Sequence, residues 1–175
     1  MENWLGEKET LQLFAKHYET QEDIPDELIE KIKASQAFNK GLWGLRQLSL
    51  GFLDMAWHTT NPANIDNVAG FEEQAMEKTR LLPRIEGSNV SCSFGHIFAG
   101  GYSAGYYSYK WAEALDADAF EHFKEKGIFN KEVAKSFRTN ILEKGNTKPP
   151  MELYVKFRGK EPDPNAMFRR DKLLN

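Results

Sequence analysis

The sequence predicts an all-α fold in which several helices flank one glycine-rich loop. Apolar residues recur at helical spacing along nearly the whole chain. One segment is apolar almost all round, which is typical of a buried helix. Prolines and capping residues stand where helices are expected to begin, and glycines stand where several are expected to end.

The chain opens with two predicted amphipathic helices. The first covers residues 8–19, where leucines and aromatic residues lie among Glu and Lys at helical spacing. Pro25 opens the second helix, because proline is favoured at a helix start. Asp26 and Glu27 follow in the first turn, where the helix dipole favours acidic side chains. Its apolar stripe consists of Leu28, Ile29 and Ile32.

The third predicted helix covers residues 37–57 and carries the highest density of large apolar side chains. Because these side chains leave little polar face, we expect this helix to lie at the centre of the fold, packed on several sides. Asn61 and Pro62 break the pattern. A fourth helix follows over roughly 64–80 and ends before Pro83.

A long irregular segment over residues 83–101 separates the two halves of the chain. Loops of this length are uncommon in compact domains and are often functional. After it, the pattern predicts a helix over 102–116 and another over 118–126, which stops at Gly127.

Three shorter helices are predicted in the remaining chain. Asn130 caps the first, and Gly145 ends it. Two prolines open a helix over 150–157, and Asp163-Pro164 provides a cap and a first-turn proline for the last. The core face of the first of these helices consists of Val133, Phe137 and Ile141.

Composition excludes several classes of protein. The 175 residues fit one ordinary domain or two very small ones. The chain has 23 basic and 26 acidic residues, and a net charge of −3 disfavours a nucleic-acid binder. The single cysteine, Cys92, excludes an internal disulfide and a cysteine-rich zinc site, and is expected to be a small apolar residue.

Apolar runs are too short to span a membrane, and the N-terminal residues do not resemble a signal peptide. We therefore expect no membrane partner and a cytoplasmic location, with a periplasmic one left open.

Common enzyme signatures are missing from the chain. The four histidines, at positions 17, 58, 96 and 122, are too far apart for an HExxH helix. There is no GxSxG, no phosphate-binding glycine loop, no CxxC and no dinucleotide-binding glycine pattern. Taken alone, the residues predict neither a nucleophile nor a metal site, and we expect this chain by itself to bind no zinc.

The segment over residues 93–111 stands out, with one histidine, four glycines and four tyrosines. On a helix beginning at residue 102, Tyr102, Tyr106 and Tyr109 fall within about 60° of one another. Gly100 and Gly101 permit a sharp turn just before that helix. The opposite face is predicted to be the packing face and consists of Ala104, Tyr107, Trp111 and Leu115.

Spacing alone leaves plainer interpretations open. Tyrosines at this spacing are usually half-buried core residues whose hydroxyls reach water. His96 alone would usually be a structural histidine. The basic residues near the end of the chain are expected to form a solvated face, and these are Lys156, Arg158, Lys160, Arg169, Arg170 and Lys172.

The run FGHIFAGGYSAGYYSYKWAE closely resembles the C-terminal substrate-binding loop and helix of the thimet-oligopeptidase-like zinc metallopeptidases. It is most similar to the bacterial peptidyl-dipeptidases, also called dipeptidyl carboxypeptidases. The six-residue step from His96 to Tyr102 matches that branch, since the animal oligopeptidases have one residue fewer. MENW, AEALDADAF and PPMELYVKFRGKEPDPNAMFRR also resemble family segments, so the resemblance covers the whole chain.

The resemblance implies that residues 1–175 correspond to the C-terminal helical region of a longer catalytic domain. In the family, the HExxH helix and a downstream glutamate ligand precede the position of MENW. The longer peptidase would therefore bind zinc, whereas this region alone would bind none and be inactive. Short peptides and the remainder of the peptidase chain are the implied partners, and the isolated region is expected to self-associate.

The resemblance also implies roles for individual residues. The tyrosine matching Tyr109 helps to stabilise the oxyanion of the tetrahedral intermediate, and a phenol is a suitable neutral donor. A preorganised donor of this kind contributes roughly 3 to 4 kcal/mol to transition-state stabilisation. The implied substrate-binding residues are His96, Gly100, Gly101, Tyr102 and Tyr106, with Tyr106 in a supporting role.

Two other functions remain open at this point. One is an endo-acting oligopeptidase of the same family. The other is a stand-alone helical interaction module without catalysis, which the missing zinc motif favours and the His-Gly-Gly-Tyr spacing disfavours.

Overall fold

The computed structural model describes residues 2–174 and confirms the all-α prediction. Extended pairing in this part of the chain is limited to an isolated antiparallel bridge between Lys16 and Asp23. The helices are α1 (Lys8–Phe14), α2 (Asp26–Ala37), α3 (Lys40–Thr59), α4 (Val68–Met76), α5 (Gly95–Ala99), α6 (Ser108–Lys126), α7 (Lys131–Phe137), α8 (Pro150–Arg158) and α9 (Asn165–Arg170). No helix within 2–174 is both long and apolar enough to cross a bilayer.

Several predicted helix boundaries are confirmed. α2 begins directly after Pro25, and α8 begins at Pro150. Asn130 caps α7, where its side-chain oxygen accepts hydrogen bonds from the backbone N–H groups of Glu132 and Val133. A π-helical turn over Arg138–Leu142 extends α7, so the helical path continues towards the predicted end.

The predicted first helix over 8–19 is too long, because α1 ends at Phe14. Beyond it the chain reverses, and the backbone N–H of His17 donates to the carbonyl of Glu22. The N–H of Ile24 donates in turn to the carbonyl of Ala15. These bonds satisfy backbone groups that a longer helix would have used, so the bridge replaces the last helical turns.

The region after the glycine pair also differs from the prediction. A single helix, α6, replaces the two predicted over 102–116 and 118–126, and it begins at Ser108. It ends before Gly127 as expected, and Gly127 has a φ of +100°, which glycine adopts without steric cost. Within the segment predicted to be irregular, the short helix α5 forms.

Contacts divide the described chain into two compact units. The first contains the described residues up to Phe38 and those from Ala114 onward. Trp4 anchors its core: the indole N–H donates to the carbonyl of Ile128 at 2.9 Å, and the ring packs edge-on against Phe120 and Phe123. The predicted core face of α7 and its π-helical extension is confirmed, because Val133 is buried and Phe137 and Ile141 pack against the same cluster.

One residue of the predicted solvated basic face lies inside this first unit. The side chain of Arg158 is only 5% exposed and donates to Asp118, Glu125 and His122. The Tyr154 hydroxyl also donates to Asp118, at 2.6 Å. Arg158 is therefore a buried link between α8 and α6 rather than a surface charge, since the carboxylates compensate its burial.

The second unit covers Asn39–Glu113. Its core consists of Leu50, Leu53, Phe94, Ile97 and Tyr106. The prediction that the third helix is packed on several sides is wrong for the described chain. α3 buries one face, which includes Leu50 and Leu53, and leaves Trp43 60% exposed. Four further large apolar side chains of α3 are also exposed, and these are Leu42, Leu48, Phe52 and Met55.

Candidate functional site

Asp54 of α3 holds the turn over residues 104–106, which lies within the segment over residues 93–111. Its side chain is wholly buried, and its two carboxylate oxygens accept hydrogen bonds from the backbone N–H groups of Ala104 and Tyr106, each at 2.9 Å. Ala104 has a φ of +53°, a conformation that costs an alanine free energy. The two hydrogen bonds therefore stabilise a turn that the local sequence does not favour by itself.

His58, one turn further along α3, provides a third polar partner for this carboxylate. Its Nδ1 atom lies 2.8 Å from Asp54 Oδ1 and also 2.8 Å from the Asp54 carbonyl oxygen. A proton on Nδ1 would be shared between these two oxygens. The buried Asp54 carboxyl group thus has two backbone donors and one histidine ring nitrogen within hydrogen-bond distance, as buried polar groups require.

Glu72 of α4 holds the other end of this part of the chain, at Val90 and Ser91. Its carboxylate accepts hydrogen bonds from the backbone N–H groups of Val90 and Ser91 and from the Ser91 hydroxyl, at 2.7–2.9 Å. The Trp57 indole N–H donates to the same hydroxyl at 2.9 Å. Burial opposes ionisation of Glu72, but the hydrogen bonds from Val90 and Ser91 outweigh it and lower the pKa of its carboxyl.

The glycine pair between these two ends is required by the backbone geometry. A Cβ atom on Gly100 would lie 3.0 Å from the carbonyl oxygen of His96, so the α5 backbone would have to shift. Gly101 has a φ of +79°, which disfavours any side chain. The chain then returns over α5, where the Tyr102 N–H donates to the His96 carbonyl and the Ser103 hydroxyl donates to the Ile97 carbonyl.

This path brings the predicted aromatic residues together. The rings of Tyr102 and Tyr109 are stacked with centroids 5.4 Å apart, and Tyr106 meets Tyr109 edge-on at 5.0 Å. The His96 ring lies 5.9 Å from Tyr102 and 6.0 Å from Tyr106. His96 is exposed, Tyr102 and Tyr109 are half-buried, and Tyr106 is buried. We refer to these four residues as the aromatic cluster.

The cluster forms by a different route from the one predicted. Of the three tyrosines only Tyr109 lies on a helix, because Tyr102 and Tyr106 lie in the irregular chain before α6. The predicted packing face is wrong for three of its four residues, since Ala104 is exposed, Tyr107 is 58% exposed and Trp111 is 56% exposed. It is confirmed for Leu115, which packs against the core cluster of the first unit. Tyr106 packs into the core instead, edge-on against Phe94.

The electrostatics of the cluster favour the neutral form of the Tyr109 phenol. Hydrogen bonding with the Tyr102 side chain, followed by partial desolvation, raises the pKa of the Tyr109 hydroxyl above its usual value near 10. Tyr109 therefore keeps its proton at neutral pH. A protonated phenol can donate a hydrogen bond to a carbonyl oxygen or to an oxygen that develops negative charge.

Asp54, His58 and Glu72 were not identified from the sequence. A signal was present for Asp54, which is the lone acid in the apolar run LSLGFLDMAW of α3. A carboxylate on the buried face of a helix needs several donors, and their presence could have been inferred. Glu72 lies in an ordinary amphipathic pattern, so its burial depends on a loop distant in sequence.

The described residues do not provide a metal site. No group of three or more His, Cys, Asp or Glu side chains within 2–174 is arranged to hold a metal ion. The zinc that the resemblance implies therefore does not fit the residues of this region.

Comparison with known proteins matches the whole region to peptidases. A family model described as peptidase family M3 matches residues 1–173. Organellar oligopeptidase A of Arabidopsis thaliana is 42% identical over 99% of this chain and 23% of its own length. Oligopeptidase A of Salmonella typhimurium is 43% identical over 96% of the chain, and dipeptidyl carboxypeptidase of the same organism is 36% identical over 96%, each over 25% of its own length. The chain thus spans about a quarter of these relatives.

Proposed function

Since the chain belongs to peptidase family M3, we propose that it forms the substrate-binding wall of a longer, zinc-dependent peptidase that hydrolyses short peptides. The observation that carries this proposal is the aromatic cluster, which lies in the segment that resembles the family's substrate-binding loop. The match over residues 1–173 disfavours a stand-alone interaction module.

Each predicted site residue has a position consistent with this proposal. Tyr109 is a protonated donor and is assigned to the oxyanion of the tetrahedral intermediate. Tyr102 and His96 are accessible enough to bind the peptide backbone, whereas Tyr106 is buried and supports Tyr109 from below. Gly100 and Gly101 keep the backbone beside His96 free of side chains.

The zinc ligands would lie in the remainder of the longer peptidase, because the described region provides no suitable group. The relatives are about four times longer than the matched region, and this supports zinc ligands that lie outside it. Residues of this region would therefore bind and orient the peptide.

Two substrate modes are compatible with the family. We propose release of C-terminal dipeptides as the first, supported by the His96–Tyr102 step and by relatives named dipeptidyl carboxypeptidase at 36% and 37% identity. The second is an endo-acting oligopeptidase, which the higher identity of 42–43% to relatives named oligopeptidase A favours.

A pair of peptides tests the function and separates the two modes. The longer peptidase is incubated with one short peptide carrying either a free or an amidated C-terminus, and the products are identified by mass spectrometry. Dipeptide release from the free form alone indicates a peptidyl-dipeptidase. Internal cleavage of both forms indicates an oligopeptidase. Failure to cleave either form in the presence of zinc contradicts the proposed function.

A further inference from the structure

We propose that Asp54 is a positioning residue for this site: its buried carboxylate fixes the turn at Ala104–Tyr106 and thereby holds the tyrosines in their binding arrangement. The link to peptide hydrolysis rests on the proposed function. The positioning itself rests only on the geometry of the second unit.

The turn over residues 104–106 needs a carboxylate, rather than an amide, at position 54. Both oxygens of the wholly buried Asp54 side chain are occupied by backbone donors on alternate residues, the part-buried N–H of Ala104 and the buried N–H of Tyr106. An asparagine has one acceptor oxygen and one amino group, so one of the two N–H groups would face another donor. A buried N–H left without an acceptor is costly, and the turn would have to move.

The position of this turn determines where the tyrosine rings lie. Tyr106 is held by its own N–H, and its ring packs against both Phe94 and Tyr109. The Gly105 N–H donates to the Tyr102 carbonyl at 2.9 Å, which ties Tyr102 to the same turn. Movement of the turn would therefore separate the stacked rings of Tyr102 and Tyr109.

Ala104, within this turn, has a positive φ of +53°. This conformation persists only when the surroundings impose it. The Asp54 carboxylate accepts from Ala104 itself, so it acts at the strained residue. His58 contacts the same carboxylate from within α3, with its Nδ1 atom 2.8 Å from Asp54 Oδ1.

The first unit provides a matched control. Asp118 is also wholly buried, and its partners are Tyr154 and Arg158 rather than the turn or the aromatic cluster. Asp118→Asn makes the same chemical change at the same degree of burial. It therefore reports the general cost of altering a buried carboxylate.

The test compares Asp54→Asn with Asp118→Asn by NMR on the full chain with labelled tyrosine rings. We expect the ring-to-ring cross-peaks between Tyr102 and Tyr109 to be lost in Asp54→Asn and retained in Asp118→Asn. In the longer peptidase, kcat/KM should fall about 100-fold for Asp54→Asn, because small displacements of positioned groups have effects of this size. Asp118→Asn should lower thermal stability and leave kcat/KM near that of the unmodified enzyme.

The outcomes separate this inference from the proposed function. Retained Tyr102–Tyr109 cross-peaks in Asp54→Asn overturn the positioning role. Lost cross-peaks with unchanged kcat/KM support positioning and contradict the proposed role of the tyrosines in hydrolysis. If Asp54→Asn does not fold, hydrogen exchange of the unmodified chain decides: slow exchange of the Ala104 and Tyr106 amides supports the role, and exchange at the rate of an open loop overturns it.

Discussion

At the scale of single residues, the buried carboxylates of the second unit act mainly on backbone. Asp54 and Glu72 each accept two backbone N–H groups from the segment that carries the aromatic cluster. Hydrogen bonds to an ionised acceptor are stronger than neutral ones. These two side chains therefore replace the regular secondary structure that the glycine-rich segment lacks.

Removal of one hydroxyl tests the role of Tyr109. In the longer peptidase, Tyr109→Phe keeps the ring and its packing but removes the donor. If this hydroxyl stabilises only the transition state, kcat should fall by roughly 10² to 10³ with KM little changed. Steady-state kinetics on a short peptide measure both constants.

Two neighbouring tyrosines serve as comparisons in the same assay. Tyr102→Phe should affect KM at least as much as kcat, because Tyr102 is assigned to substrate binding. Tyr107→Phe should cost little activity, since Tyr107 is 58% exposed and lies outside the aromatic cluster. A fully active Tyr109→Phe enzyme would leave the cluster with a packing role alone.

The carboxylate of Glu72 should make stability depend on pH. Its folded-state pKa is lowered, so its stabilising contribution is complete above the unfolded value of about 4.3 and is lost as pH falls through the lower folded value. Glu72→Gln should therefore lower the free energy of unfolding at pH 7 by about 1–3 kcal/mol. Thermal melts should show the gap between the two proteins closing in acid.

The adjacent glutamate is the control for this measurement. Glu73 pairs with Arg80 at the surface, where its side chain is 54% exposed, so Glu73→Gln should change stability by about 1 kcal/mol or less. A gap between wild type and Glu72→Gln that stays constant from neutral pH into acid would contradict the assigned ionisation.

The residues of the aromatic cluster could be predicted from the sequence, but the contact of Asp54 with the turn that carries them could not. His96, Gly100, Gly101 and the tyrosines belong to one short motif, whereas Asp54 lies 50 residues away from Ala104. A hydrogen bond between distant residues leaves no periodic pattern. This is why the residues proposed to bind peptide were predicted from the sequence and the residue proposed to position them was not.

At the scale of elements, local signals fixed most helix ends. The best example is the junction between α6 and α7, where Gly127 has a positive φ and Asn130 caps the next helix. The Asn130 amide also donates to the Lys126 carbonyl, so one side chain serves both helices. Such signals act within a few residues and can be recognised in the sequence.

Loss of this cap should have a measurable cost. Asn130→Ala removes the acceptor for the Glu132 and Val133 N–H groups and should lower the free energy of unfolding by about 1 kcal/mol. Asn130→Asp keeps an acceptor oxygen and should retain most of the stability. Lys135→Ala, at an exposed position of the same helix, should be close to neutral. Equal denaturation midpoints for Asn130→Ala and Lys135→Ala would contradict the capping role.

The failed prediction of a helix over 102–107 has a physical cause at the same scale. Its residues have helical spacing, but Asp54 competes for the N–H groups of Ala104 and Tyr106. In a helix that begins at residue 102, the Tyr106 N–H would donate to the Tyr102 carbonyl, whereas the Ala104 N–H would lie in the first turn without an intrahelical acceptor. Tertiary hydrogen bonds thus override local propensity in the segment proposed to bind substrate.

At the scale of the whole molecule, α3 exposes apolar side chains whose pattern is typical of a buried helix. Its apolar side chains predict burial on several sides, yet Trp43 is 60% exposed.

After α4, Leu81 and Leu82 are 60% and 67% exposed. Together with Leu42, Leu45 and Met76, these side chains line an apolar groove flanked by Arg46 and Arg80. We propose that the remainder of the longer peptidase covers this groove, since the chain spans about a quarter of its relatives.

The isolated chain should therefore self-associate through its apolar surface. Contiguous apolar patches drive association when nothing covers them, and Phe98, Tyr107 and Trp111 of the segment over residues 93–111 are exposed as well. Light scattering at rising concentration should show dimers or larger species. Trp43→Lys should reduce the mean mass by placing a charge in the groove, whereas Tyr18→Lys, at an 81% exposed position outside it, should not. A strictly monomeric chain at high concentration would show that these surfaces do not need a partner, and would contradict the proposal that another part of a longer peptidase covers the groove.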